Sequence, residues 1–269
     1  MPAGTGRAFE AARRERRGAF IPYLTSGFPS AEESDRLALA LLDEGADILE
    51  LGVPFSDPVA DGPVIQRTTQ IALASGATLA GTLRQAAALR AQRETPLVLM
   101  SYLNPILRYG VARFAAAARA SGVDGVILVD LPPEEDPETW RTIGEAGLDT
   151  ITLATPTSTE ARLPGIAARA RGYLYVVARL GVTGSGRADP AVLDLLGRCR
   201  KLSPLPRALG FGMGLGSDLS RYRGVAEGVI VGSELLAPLL ELPDAPARER
   251  SIREFARAFM KKLGDLAPA

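Results

Sequence analysis

The 269-residue chain contains no histidine, a single cysteine (Cys199) and only three lysines (Lys201, Lys261 and Lys262). Without imidazole, neither a Ser-His-Asp nor a Cys-His nucleophile can be assembled, and a His/Cys zinc site cannot be filled. One cysteine excludes an internal disulfide and gives no sign of an oxidising compartment. Proton transfer near neutral pH then falls to retuned carboxylates, tyrosine, lysine or that cysteine. An excess of one charge is also missing: 31 basic and 31 acidic residues leave no formal net charge, which argues against a nucleic-acid or anionic-membrane partner. Long apolar runs are absent as well. The longest uncharged stretch, 68–83, holds Gln70, Ser75 and several threonines, whereas a spanning helix needs about 20 mostly apolar residues. The basic start (Arg13, Arg14, Arg16, Arg17) has no apolar segment of the secretory type and reads as the solvated face of an N-terminal helix. A cytoplasmic location is the expectation.

What the chain does contain is repetition. Short apolar runs, each followed by turn residues and then a helical pattern, recur at Ala19–Thr25, Asp47–Gly52, Pro96–Tyr102, Gly125–Asp130, Thr150–Thr155, Tyr173–Ala178, Ala208–Phe211 and Gly228–Gly232. Most are continuous rather than alternating, as in strands buried on both faces of a parallel sheet. Capping boxes are expected at Ser30–Glu33 and Thr157–Glu160, and Asp189-Pro190 reads as an N-cap followed by proline. Other helices are expected at about 63–75, 79–93, 110–121, 133–146, 217–223, 234–240 and 246–264. The pattern predicts an α/β fold, a (β/α)8 barrel, in one domain over 1–269: an N-terminal helix in 1–18 and the barrel in 19–265. A doubly wound open sheet competes, but the G-x-G-x-x-G fingerprint expected after its first strand is absent. In a barrel, chemistry belongs where strands end and loops begin.

Glu50 closes an apolar strand, where burial should raise its pKa towards the range of a neutral-pH acid or base. A structural glutamate satisfied by backbone or arginine is the alternative. Asp61 lies in a loop stiffened by Pro54, Pro58 and Pro63, and it also fits a plain N-cap of the next helix. Glycines follow the last three strands at 181–186, 210–214 and 232, with Ser233 opening a helix. Together they match the place where barrels hold phosphate, on backbone N–H groups and a helix dipole. Tyr175 and Tyr102 fit core packing as well as a site. Asp130 fits either a ligand contact or a loop cap, and Cys199, among leucines, fits inert packing.

Several segments carry a resemblance: ELGVPFSDPVADGP at 50–63, SYLNPI at 101–106, GVDGVILVDLPPEE at 122–135, RLGVTGSG at 179–186, GFGM at 210–213, VGSELL at 231–236 and RRGAFIPYLTSGFPS at 16–30. In order and over nearly the whole chain, the sequence resembles the family of tryptophan synthase α subunits. The resemblance implies a TIM barrel with an extra N-terminal helix, a lyase in tryptophan biosynthesis. Its reaction is the metal-free retro-aldol cleavage of indole-3-glycerol phosphate to indole and glyceraldehyde 3-phosphate. It implies no cofactor in this chain and a β subunit, carrying pyridoxal phosphate, as partner in an α2β2 heterotetramer. By motif, Glu50 corresponds to the acid/base carboxylate and Asp61 to the carboxylate that meets the indole N–H. Tyr175, Tyr102 and Phe211 correspond to residues flanking the substrate, Ile127 and Leu153 to walls of the indole pocket, and Thr183 to the mobile-loop threonine. Gly184, Gly212, Gly232 and Ser233 correspond to the phosphate cradle. A standalone lyase and a non-catalytic barrel that activates a β subunit are the other functions such a chain could have. Phe28, Glu227 and the glycine-rich stretch 214–216 depart from the family's usual pattern.

Overall fold

In a computed structural model, which describes residues 4–178 and 190–267, eight parallel strands close into a barrel in sequence order. They are β1 (Ala19–Thr25), β2 (Leu49–Gly52), β3 (Leu97–Ser101), β4 (Gly125–Leu128), β5 (Asp149–Ala154), β6 (Leu174–Val177), β7 (Arg207–Gly210) and β8 (Gly228–Val231). All eight fall on the apolar runs of the sequence, trimmed at their ends. Followed once round the ring, the pairing slips by roughly eight residues, the stagger of a (β/α)8 barrel. The open-sheet alternative is thereby excluded. Among the described residues no helix is long and apolar enough to cross a membrane.

Register assigns the interior. Paired residues of parallel neighbours share a face, and so do residues two apart on one strand. Tyr23 pairs with Glu50, Gly52 with Met100, Met100 with Ile127, Ile127 with Ile151, Leu153 with Tyr175 and Tyr175 with Ala208. One continuous inner face therefore carries Tyr23, Glu50, Ile127, Leu153, Tyr175 and Gly210. Glycine makes room for two of its aromatic rings: a Cβ at Gly52 would lie 1.9 Å from the Tyr23 hydroxyl, and one at Gly210 would lie 2.2 Å from the Tyr175 hydroxyl.

The N-terminal end of the barrel is stapled by carboxylates that begin strands or stand just before them. Asp47 accepts the Phe20 N–H at 2.8 Å and a guanidinium N–H of Arg17 at 2.9 Å. Asp124 accepts the Leu97 N–H at 2.9 Å and pairs with Arg90. Glu227 accepts the Arg207 N–H at 2.8 Å and reaches the Arg207 guanidinium as well. The N-terminal helix Thr5–Arg14 closes the same end. Asp149 accepts both the N–H and the hydroxyl of Thr5, at 3.1 and 2.7 Å, and the Phe9 ring packs 5.3 Å from that of Tyr173. With one mouth tied and plugged, the loops of the other are left for chemistry.

Several local expectations need correction. Ser30 caps its helix, accepting the Glu33 N–H at 3.3 Å, but Glu33 does not return the bond; it pairs with Arg248. The Thr157–Glu160 box opens no helix: Thr155 donates its N–H to Ser158 Oγ at 3.1 Å, a local turn that outcompetes the cap, and the helix is Leu163–Arg169. The helix expected at 133–146 starts only at Pro137, capped by Asp136. A helix not expected from the sequence runs from Leu103 to Tyr109, with Pro105 in its first turn, where proline is tolerated. The segment 217–223 contains a 3₁₀ turn, Leu219–Tyr222, and 234–240 is split into one turn, Ser233–Leu236, and a 3₁₀ turn, Pro238–Leu240. Phe28, which departs from the family pattern, is 1% exposed in the core and precedes a cis Pro29. Asp189 lies outside the described residues.

Candidate active site

Glu50 is fully buried, and neither carboxyl oxygen has a hydrogen-bond partner among the described residues. The expectation of a structural glutamate held by backbone or arginine is therefore not met. Burial, with the nearby Asp61 charge adding to it, pushes the Glu50 carboxyl up to about 8. Three tyrosines of the inner face, Tyr23, Tyr173 and Tyr175, lie within its electrostatic reach, and their phenols are themselves pushed upward, chiefly by burial. A carboxyl in this setting is mostly neutral at pH 7.

Asp61 reaches the site from the loop between β2 and the helix Pro63–Ala74. It is not that helix's cap: Gly62 occupies the position and no side chain caps it. The loop is instead anchored by Tyr102, directly after β3. Its hydroxyl accepts the Ala60 N–H at 2.9 Å, and its ring packs against Phe55 with centroids 5.3 Å apart. Further bonds run within the loop, Asp61 N–H to Pro58 O at 3.0 Å, and to the next helix, Gln66 Nε2 to Asp61 O at 2.8 Å. Burial pushes the Asp61 carboxyl up to about 6, and a hydrogen bond from Tyr102 draws it back. Asp61 is thus mostly ionised at pH 7 while Glu50 is mostly protonated, two carboxyls separated by environment.

The other expected residues fall around this pair. Tyr175 is buried on β6, with its ring edge-on to Phe211, centroids 5.9 Å apart at 64°. Phe211 takes a left-handed φ of 66°, a backbone state that a bulky residue adopts only where its surroundings hold it. Ile127 is buried and Leu153 half-buried, both on the inner face. Gly212, at φ 75°, leaves β7, and Gly232 and Ser233 leave β8. The helix they open is a single turn, so the expected dipole is small and only N–H groups remain for an anion. Thr183 and Gly184 lie outside the described residues.

Two alternatives resolve toward structure. Asp130 accepts the Leu103 N–H at 2.8 Å, so it holds the start of the helix Leu103–Tyr109 rather than capping the loop that follows β4. Cys199 is buried, with its thiol pushed up to about 11 by desolvation, and is unreactive packing. Tyr23 was missed, though its signal was the same as that of Tyr175, a phenol in an otherwise apolar buried strand. Glu234 was also missed: it accepts the Leu215 N–H at 2.8 Å beside the candidate cradle.

Comparison with known proteins gives the family of the whole barrel. A family model described as tryptophan synthase alpha chain matches residues 9–264. The tryptophan synthase alpha chain of Xanthomonas axonopodis pv. citri (strain 306) is 47% identical over 258 residues, 95% of each chain. That of Solibacter usitatus (strain Ellin6076) is 41% identical over 260 residues, 96% of this chain and 97% of the relative. Among solved structures, Mycobacterium tuberculosis tryptophan synthase in space group F222 superposes with a TM-score of 0.87 at 35% identity, covering 98% of this chain and 99% of that one. Tryptophan synthase subunit alpha from Legionella pneumophila str. Paris gives 0.85 at 34%, covering 96% and 97%. With the family model spanning the barrel and relatives at 47% and 41% identity over nearly their full length, the chain belongs to the tryptophan synthase alpha chain family.

Proposed function

We propose that Glu50 and Asp61 divide the chemistry of this family's reaction, the cleavage of indole-3-glycerol phosphate to indole and glyceraldehyde 3-phosphate. The chain is a carbon–carbon lyase of tryptophan biosynthesis; the family's alpha chains carry no cofactor and pair with a β subunit, which holds the pyridoxal phosphate. The observation that carries the assignment is the unpartnered, fully buried Glu50 carboxyl facing an aspartate of lower pKa.

Protonated Glu50 gives its proton to the indole carbon that bears the glycerol chain, and positive charge develops on the ring nitrogen. Ionised Asp61 stabilises that charge through the ring N–H, which is transition-state electrostatics in a desolvated site. The Glu50 carboxylate then takes the proton of the adjacent glycerol hydroxyl. As that O–H electron pair becomes the aldehyde C=O, the C–C bond breaks and its electrons restore the aromatic ring. Glu50 ends protonated, as it began, and no proton is left over. Tyr175 stands beside the reacting carbon, Phe211 and Tyr102 flank the substrate, Ile127 and Leu153 wall the indole, and Gly212, Gly232 and Ser233 hold the phosphate away from the breaking bond, where it supplies orientation. The whole of 1–269 works as one barrel domain with its N-terminal helix, in the cytoplasm, in an α2β2 assembly.

Indole release from indole-3-glycerol phosphate by the parent, Glu50→Gln and Asp61→Asn, each alone and with a β subunit, tests the reading. Both variants should fold and lose cleavage. Turnover near that of the parent in Glu50→Gln would overturn it.

A further inference from the structure

The loop that leaves β7 buries Met213 in the core and is held at its exposed turn by hydrogen bonds. Leu215 stands at its turn, 37% exposed, yet both its backbone groups are taken by side chains from distant segments. Its N–H donates to Glu234 Oε1 at 2.8 Å, and its C=O accepts from Lys262 Nζ at 2.8 Å. Glu234 follows Ser233 in the single helical turn after β8, and Lys262 ends the helix Ala245–Lys262. Within the loop, Gly214 donates its N–H to Ser217 Oγ at 3.0 Å and accepts the Ser217 N–H at 3.1 Å. Gly214 has to lack a side chain for this arrangement: a Cβ there would stand 1.5 Å from Glu234 Oε2. The same loop begins with the two left-handed residues Phe211 and Gly212, whose backbone state depends on what holds the loop beyond them.

We infer that Glu234, backed by Lys262, is a positioning residue that locks the β7 loop to the β8 turn and so sets the spacing of the phosphate cradle; this rests on the cradle reading of Gly212, Gly232 and Ser233. Glu234 acts through Leu215 and does not itself meet the phosphate. Its charge works the other way, since removing a carboxylate beside an anion site favours anion binding by electrostatics alone. The sign of the effect therefore separates positioning from charge.

The test measures glycerol 3-phosphate affinity by calorimetry, and kcat and KM for indole-3-glycerol phosphate, on the full chain. Glu234→Ala should raise both the Kd and the KM by about 3- to 10-fold, the weight of one hydrogen bond, with little change in kcat because the phosphate is remote from the breaking bond. Glu234→Gln keeps the acceptor and loses the charge, so it should bind at least as tightly as the parent. Gly214→Ala pushes the carboxylate off Leu215 and should match Glu234→Ala, and the double variant should be no weaker than either single one. Lys262→Met should shift affinity in the same direction, by less. A folded Glu234→Ala that binds glycerol 3-phosphate as tightly as the parent, or more tightly, overturns the clamp. So does full additivity of the Gly214→Ala and Glu234→Ala losses. The parent chain separates the two readings: if it binds glycerol 3-phosphate and Glu234→Ala binds it equally well, the clamp alone fails; if the parent itself shows no binding, the cradle fails with it.

Discussion

The Tyr102 hydroxyl serves Asp61 twice, accepting the neighbouring Ala60 N–H at 2.9 Å and drawing the Asp61 carboxyl towards its ionised form. One phenol at the end of β3 thus fixes the loop and stabilises the ionised form of its aspartate. Tyr102→Phe removes both effects and leaves desolvation unopposed, so the Asp61 pKa should rise above about 6. The acidic limb of the kcat/KM profile should move upward, with about a 10-fold loss at pH 7, the size of a hydrogen bond to a charged group. An unmoved acidic limb would show that Asp61 does not depend on Tyr102.

The parent enzyme should give a bell-shaped kcat/KM profile. Activity requires Glu50 protonated and Asp61 ionised, so it should rise as pH passes about 6 and fall as pH passes about 8. Because the Asp61 charge contributes to the raised Glu50 value, the two titrations are coupled. In Asp61→Asn the residual activity should lose its acidic limb, and its alkaline limb should move below 8. A limb that stays at its parent position would remove Asp61 as the charge felt by Glu50.

Glu50→Gln should cost about 10²- to 10⁴-fold in turnover, the range of general acid–base catalysis, and should also stabilise the fold. The Glu50 pKa lies near 8 in the folded chain against an ordinary 4.5. The unfolded chain therefore releases this proton first as pH rises. The stability that goes with a protonated Glu50 is complete below about 4.5 and drains away up to about 8. Glutamine cannot ionise, so the variant's advantage should be near zero at pH 4.5 and reach a few kcal/mol at pH 8. Thermal melts of both proteins across that range check it; a difference independent of pH would mean that Glu50 is not ionising against burial.

The barrel could be read from the sequence because a strand buried on both faces writes itself as an uninterrupted apolar run, and all eight runs became strands. Glu50 stood out for the same reason, as a carboxylate in such a run, but the run alone could not separate it from a structural carboxylate such as Asp130, which ends another run and binds the Leu103 N–H. Asp61 was ambiguous, since Asp-Gly-Pro before a helix is also a cap; in the structure Gly62 takes the cap position, and the loop is tied instead to Tyr102, far along the chain. Tyr23 and Glu234 stayed hidden because their importance lies in what they approach, Gly52 and Gly214, on segments far away in sequence. Helix ends were lost where side-chain bonds competed locally, as at Thr155 and Ser158.

The floor of the barrel should be separable from its chemistry. Phe9, 4% exposed, lies against Tyr173 and over Gly228, where a Cβ would come within 2.8 Å of its ring. That glycine keeps the floor open for the plug. Phe9→Ala leaves a cavity beneath Tyr173 and should destabilise the chain by about 3–5 kcal/mol. The site lies at the other mouth, so KM for indole-3-glycerol phosphate should hold within about 2-fold at temperatures where the variant is folded, as distant sites behave independently. Denaturant titration alongside steady-state kinetics makes the comparison. A change in KM as large as the stability loss would mean that the N-terminal helix sets the geometry of the active site and does not merely close the barrel.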